Sequence, residues 1–334
     1  MYHIIVNPIA GKGRTLDKLP LLTRLFDAHK LRYEVIVTEC IMDAYAKAKT
    51  ACAAGSNGII GIGGDGTIQE IAAGMAAASY PGNVTAPLGI FPGGSGNDFV
   101  MTLAGGKAQA LARYKEKNIQ ASVEDFFTAV RTNRTTSIDL ITANGMAFLN
   151  IGNVGLDARV VQNAVALKHR YGRYAYVAAV YKSIAKHTNM QLAVEIDGKV
   201  REGEYTLVAV CNGQYYGGGL HISPQASLSD GKITLCFVTA MSRPKTMTIF
   251  PYLVVGQHHR LKAVSYVECE EVCLTLKSGA ESLSLDGNLY EVVSSGGSGF
   301  AEEEKRFFSP YKLPGADKGE MRFKIMPKAI SIYL

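Results

Sequence analysis

The stretch Ile59-Ile60-Gly61-Ile62-Gly63-Gly64-Asp65-Gly66-Thr67 constrains this chain more than any other. An apolar run ends in a glycine turn where a helix begins, so strand, tight connection and helix follow within a few residues. Gly63, Gly64 and Gly66 let the backbone turn sharply and approach a ligand. Thr67 is read as the cap of a helix whose free N–H groups and dipole favour an anion. Asp65 does not suit a plain anion cradle. A carboxylate beside phosphates needs a metal, a ribose or a hydroxyl to face, which points to nucleotide chemistry.

Two other readings fit the same residues. Gly61 to Gly66 match the dinucleotide fingerprint G-x-G-x-x-G, yet the next apolar strand, 88–91, ends in Pro92 and offers no acid for a ribose. A structural connection between strand and helix is the other, since glycines often make one.

The surrounding residues repeat the pattern. Strands are predicted over 3–7, 33–38 and 59–62, and helices over 15–30, 43–54 and 67–78, which is the alternation of a parallel sheet. Ligands of such sheets gather beyond the carboxyl ends of the strands, here 7–14, Thr38, 63–67 and 92–98. The last is a second glycine turn, with Ser95, Asn97 and Asp98 able to cap a following helix. It lacks the Walker spacing, and Lys12 and Arg14 are the nearest basic candidates for a phosphate.

From Arg134 the texture becomes antiparallel. Asn144-Gly145 and Asp197-Gly198 each join two alternating runs as hairpin turns, and helices are predicted over 156–167, 174–186 and 244–256. Further strands are expected over 232–238, 263–269, 272–276, 282–285, 321–326 and 329–334, with Cys269 and Cys273 on one face of one strand. Residues 294–319, rich in glycine and charge, read as a mobile excursion or plain linker.

A length of 334 residues exceeds one usual core and favours two domains. The formal charge of +6 contains no basic tract long enough to demand nucleic acid. None of the six cysteines has zinc-site spacing, and no apolar run approaches a membrane span, so a reducing cytoplasm is the expected home.

Asn7-Pro8 with Gly11 and Gly13, Gly63 to Thr67, the 92–99 turn, Asn150-Ile-Gly-Asn-Val-Gly-Leu-Asp157, Asp230-Gly-Lys232 and Asp286-Gly287 stand in order along nearly the whole chain. In this the chain resembles the soluble bacterial diacylglycerol kinases, relatives of the sphingosine and ceramide kinases. The resemblance implies an α/β N-terminal domain with a parallel sheet, like those of phosphofructokinase and NAD kinase. A β-rich antiparallel, sandwich-like domain follows. Residues 1–135, completed by 320–334, would form the first and 136–293 the second, with 294–319 as insertion or linker. ATP would lie in the cleft on Asn7, Gly11, Lys12, Thr38, Gly63, Gly64, Asp65, Gly66, Thr67 and Ser95. Magnesium would be held by Asp230 and the carbonyls of Ser227 and Lys232.

Ser95 replaces the usual Thr of the family and keeps its hydroxyl. Asn288 stands where many relatives read Asp-Gly-Glu, leaving Asp286 as the expected base. The implied activity is transfer of the γ-phosphoryl group of ATP to a lipid hydroxyl, by default diacylglycerol to phosphatidic acid, with Asp65 and Asp286 catalytic. An NAD kinase-like enzyme is the alternative within the superfamily, although its paired Asn-Glu motif is not found. A catalytically idle nucleotide- or lipid-binding regulator is kept open by Asn288. A water-insoluble acceptor implies visits to a membrane surface, with Lys168, Arg170 and Arg173 as docking candidates. A homodimer is left open.

Overall fold

The computed structural model describes residues 1–13, 15–94, 96–114, 119–171, 175–254, 256–300, 311–316 and 318–334. Its first half alternates β1 (Tyr2–Val6), α1 (Leu19–Ala28), β2 (Tyr33–Val37), α2 (Asp43–Ala53), β3 (Gly58–Gly63), α3 (Asp65–Ser79) and β4 (Leu88–Pro92). The helices α4 (Asp98–Leu103), α5 (Lys107–Tyr114) and α6 (Ile119–Arg131) follow. The four strands pair in parallel in the order β2-β1-β3-β4.

Period-two alternation on these strands feeds two cores. Ile5 and Ile59 face α2 and α3, while Ile4, Val6, Ile60 and Ile62 face Phe26 of α1 and Phe126 and Phe127 of α6. A sheet covered on both faces needs nearly continuous apolar strands, which is what β1, β3 and β4 are.

The second half begins with β5 (Thr135–Ala143), β6 (Met146–Phe148), β7 (Ile151–Gly155), α7 (Leu156–Tyr171) and α8 (Ala175–Lys186). It continues with β8 (Met190–Ile196), β9 (Lys199–Cys211), β10 (Tyr215–Tyr216), β11 (Leu220–His221), β12 (Ile233–Thr239) and α9 (Arg243–Val254). The last strands are β13 (Val264–Cys269), β14 (Glu271–Leu276), β15 (Ala280–Leu285), β16 (Asn288–Val293), β17 (Tyr311–Lys312) and β18 (Glu320–Tyr333). Both expected hairpin turns have positive φ at their two central residues, 47° and 87° at Asn144-Gly145 and 52° and 72° at Asp197-Gly198. This is the twist that suits antiparallel strands. Asp286-Gly287 is a third such turn, at 48° and 93°, joining β15 to β16, a strand not foreseen in the sequence.

Three further differences from the expectations have physical causes. The runs 321–326 and 329–334 are one strand, β18, whose register shifts between Met326 and Ile330. Lys328, at φ 50°, donates its N–H to Asp139 Oδ1 there, and that bulge breaks the alternation. One end of β18 pairs with β14 and the other lies beside β4, with β5 along its flank, so it stitches the parallel strands to the antiparallel ones. Cys269 and Cys273 are buried on two different strands, β13 and β14, because the chain turns at Glu270. Within the stretch read as a linker, Tyr311–Lys312 adds to β16 and Leu313 and Ala316 are buried in the core of the antiparallel half. Residues 301–310 and 317 lie outside the described residues.

Candidate functional site

The strand ends of the parallel sheet converge as the two glycine turns suggested. Gly93 N–H donates to Gly63 O at 2.7 Å, and Gly11, at φ 58°, packs so closely on the Gly93 carbonyl that no side chain fits. Asn7 Nδ2 donates to Thr67 Oγ1 at 2.9 Å, and the Thr15 hydroxyl donates to Asn7 O at 2.7 Å, so the first loop is fixed to the start of α3. Thr38 is buried at the end of β2 beside Val6. Thr67 does not cap α3: the helix starts two residues earlier, at Asp65, with Gly64 as its cap residue in extended conformation. That frees the first-turn N–H groups of a fifteen-residue helix at the point where the strands end. The Lys12 side chain and all of Arg14 and Ser95 lie outside the described residues, as do the Lys168 and Arg170 side chains and Arg173.

Asp65 reaches across to the second turn, where it accepts the N–H of Phe99 at 3.2 Å and so caps α4. Asp98, expected as a cap, instead accepts the N–H groups of Gly218 and Gly219 (2.9 and 2.7 Å), at the glycine tip between β10 and β11. The two carboxylates face each other across Gly96, where a Cβ would lie 3.0 Å from Asp98 Oδ2 and 3.1 Å from Asp65 Oδ2. Burial raises the pKa of both, that of Asp98 to about 7, with the Asp65 charge adding to it. Backbone N–H groups only partly offset this.

Asp286 is near enough to Asp65 for their charges to interact. Its Oδ2 accepts Leu149 N–H at 2.8 Å and its Oδ1 accepts Ile151 N–H at 2.8 Å, with Asn150 N–H shared between them. Burial pushes its pKa up to about 7 although the Leu149 and Ile151 amides lower it, and Asp65 contributes a further rise. Asn150 extends the contact: its Nδ2 donates to Tyr215 O at 2.7 Å and its Oδ1 accepts from Thr102 of α4. Asn288 stands against the first turn of α3. Its Nδ2 donates to Gly66 O at 3.0 Å and to Gln69 Oε1 at 2.7 Å, stapling β16 to the first turn of α3.

Beyond the Asp98-bound tip lies an apolar cavity of about 80 Å³, enclosed by α7, α8, α9 and the face of β9 and β12. Asp157, in the first turn of α7, and Tyr216 stand on its wall. Asp157, Asn150 and the 217–219 tip have no role in the sequence analysis; for the tip, the triple glycine is the visible signal. The proposed magnesium turn is exposed. Asp230 Oδ1 accepts Lys232 N–H at 3.0 Å and Gly231 N–H donates to the buried Asp139 at 2.7 Å. Its donors are all oxygen, which fits a hard cation that keeps some water. Among the described residues no three His, Cys, Asp or Glu side chains form a metal cluster, and no helix is long and apolar enough to cross a membrane.

Residues 1–143 match the diacylglycerol kinase catalytic domain model, and residues 151–295 match the YegS C-terminal NAD kinase beta sandwich-like domain. The chain is 27% identical over 286 residues to the diacylglycerol kinase of Bacillus subtilis (strain 168), covering 85% of this chain and 88% of that one. It is 26% identical over 274 residues to the diacylglycerol kinase of Mycobacterium tuberculosis (strain H37Rv), covering 80% and 82%. A crystal structure of a diacylglycerol kinase from Bacillus anthracis superposes with a TM-score of 0.63 at 20% identity, over 99% of this chain and 96% of that one. Another chain from that organism reaches 0.71, so the fold is shared over its full extent. With both halves matched in order and the fold the same, the chain belongs to the bacterial diacylglycerol and lipid kinase family, a family of phosphotransferases that use ATP.

Proposed function

We propose that the chain transfers the γ-phosphoryl group of ATP to the hydroxyl of a membrane lipid, diacylglycerol first among the candidates, giving phosphatidic acid. One observation carries the reading: the Asp65–Asp98 pair stands between the converged strand ends and a glycine tip whose flanking residues, Tyr216 and Leu220, line an apolar cavity. Phosphates at the strand ends meet the first N–H groups of α3, the Asn7–Thr67 pair and the loop of Gly11 and Lys12, with Thr38, Gly63, Gly64, Gly66 and Ser95 around the nucleotide. Part of one acyl chain of the acceptor enters the cavity, and the protein mainly positions and neutralises. In this reading residues 1–135 with 320–334 serve the nucleotide and 136–293 the lipid.

Asp286 takes the acceptor's proton. Its raised pKa suits a base near neutrality, and its backbone amides fix its direction. A second reading gives the proton to Asp65 and makes Asp286 an anchor, because the amides of residues 149–151 already engage both Asp286 oxygens. Magnesium would sit on Asp230 and the carbonyls of Ser227 and Lys232; when bound, a hard cation neutralises oxygen charge. There the chain's own part is to brace β12 against Asp139.

The test is labelled ATP with a panel of lipids in mixed micelles at anionic vesicle-like composition, with NAD as a separate acceptor. Labelled phosphatidic acid is the expected product. Labelled NADP alone, or ATP binding with no labelled product from any acceptor, would overturn the reading.

A further inference from the structure

The cavity wall carries one acid that the reaction as described does not use. Asp157 is 5% exposed, and its Oδ2 has no hydrogen-bond partner. Its carboxyl is also bonded by the Tyr216 hydroxyl. An unpaired buried carboxyl oxygen is costly, so its persistence calls for an explanation. Around it the lining is apolar, with Leu156, Val160, Val180 and Ile184. The Thr206 and Thr246 hydroxyls on the same wall are spent on Asn189 and on the Ser242 carbonyl. Two polar atoms of the described lining lack a partner, Asp157 Oδ2 and His258 Nδ1, and Asp157 is the one near the chemistry. Its electrostatic neighbour is Asp98, which in turn faces Asp65.

We infer that Asp157 is a specificity-determining residue that, before ATP binds, accepts a hydrogen bond from the hydroxyl of an acyl lipid whose chain enters the cavity, the same hydrogen passing to Asp286 only when the phosphoryl group is transferred. The inference rests on the lipid-acceptor reading above and adds to it which residue distinguishes an alcohol from a lipid without one. An acyl chain alone would fit the apolar wall equally well with or without a hydroxyl. Only a donor at the head satisfies the orphaned oxygen, and a site built to bond a hydroxyl rejects the analogue lacking it because its own polar atom stays unpaired. Burial also raises the Asp157 pKa to about 7, so near neutrality the group retains an accepting oxygen in either protonation state.

Binding without ATP separates this from catalysis. The probes are dioctanoylglycerol and the dioctanoyl ester of propane-1,2-diol, which differs by the missing hydroxyl. Wild type is expected to bind the alcohol about tenfold more tightly than the deoxy ester. Asp157→Leu should erase that preference while keeping the affinity for the deoxy ester, and the near-isosteric Asp157→Asn should retain part of it. Melting curves confirm that both variants fold; Asp157→Asn keeps an acceptor for the Tyr216 hydroxyl, whereas Asp157→Leu gives it up and should melt somewhat lower. Equal binding of the two probes by wild type, or an undiminished preference in a folded Asp157→Leu or Asp157→Asn protein, would overturn the inference and leave the lipid reading standing. Failure of wild type to bind either probe would overturn the lipid reading itself.

Discussion

The two walls of the cleft are built differently. On the nucleotide side, the functional groups sit within a few residues of one another in two glycine turns, and the backbone itself does the work: N–H groups, close approaches, a helix start. On the acceptor side, each acid is held by amides far away in the chain. Asp98 is held by residues 218 and 219, and Asp286 by residues 149 to 151. The first wall is a local motif; the second exists only after the sheet has closed. Substitutions on the first should therefore change chemistry with little change in stability, and substitutions on the second should change both.

The largest effect is expected at Asp286. Asn is a close isostere, but its NH2 must face either Leu149 N–H or Ile151 N–H, leaving a buried donor without an acceptor. Asp286→Asn should lose two to four orders of magnitude in single-turnover transfer, as for a lost proton acceptor. It should also lose about 1–3 kcal/mol of stability. Loss of melting temperature with activity kept would assign Asp286 to anchoring and leave Asp65 as the base.

Asp65→Asn should cost about a hundredfold or more in turnover. An amide oxygen can still accept the Phe99 N–H, so the cap of α4 survives and the melting temperature should hold or rise. Near-normal turnover would remove Asp65 from the chemistry and weaken the contrast between the walls.

These two acids also show why one half was legible and the other was not. Gly63 to Thr67 and the 92–98 turn announced themselves because glycine and capping residues carry backbone information at short range. Thr67 was still misread as a cap, since either Gly64 or Thr67 can begin such a helix and only the register decides. Asn150 and Asp157 bound a stretch that the resemblance marks, but nothing local gives either a role or says that Asn150 will meet Thr102 or that Asp157 will meet a cavity. Asn288 was judged by what it replaced, a carboxylate, whereas its amide is what the structure uses.

Asn288 gives the next prediction, because it belongs to the second wall yet touches the first. A glutamate there would set a carboxylate against the Gly66 carbonyl and Gln69 Oε1, two acceptors that now receive its N–H groups. Asn288→Glu should lower stability by about 1–2 kcal/mol. Nucleotide affinity should weaken severalfold, since the first turn of α3 is disturbed. Faster phosphoryl transfer by this variant in the mixed-micelle assay would instead mean that a base belongs at position 288.

The smallest effect is a slope. Asp98 has its folded pKa raised from 3.8 to about 7, so the native state holds a proton that the unfolded chain releases. Between about pH 4 and 7 this acid makes stability fall as pH rises, by up to about 1.4 kcal/mol per pH unit, and above 7 its effect is constant. His187 works in the opposite direction. Burial and the Arg159 charge lower its pKa to about 4, so stability is lost as pH falls from 6.5 towards 4. In wild type Asp157 and Asp286, also raised to about 7, add to the Asp98 slope and His187 opposes it, so a melting profile alone does not assign any slope to one group. Difference profiles separate them. The melting temperature of Asp98→Asn minus that of wild type should climb as pH rises from 4 to 7 and then level off. For His187→Gln the difference should climb as pH falls below 6.5. The Asn variant can still accept the Gly218 and Gly219 amides through one oxygen, so any bond it weakens shifts its profile by a constant and leaves the slope intact. A flat difference profile for Asp98→Asn would mean that its carboxyl titrates as an ordinary exposed one, and the second wall would lose the buried charge that sets it apart from the first.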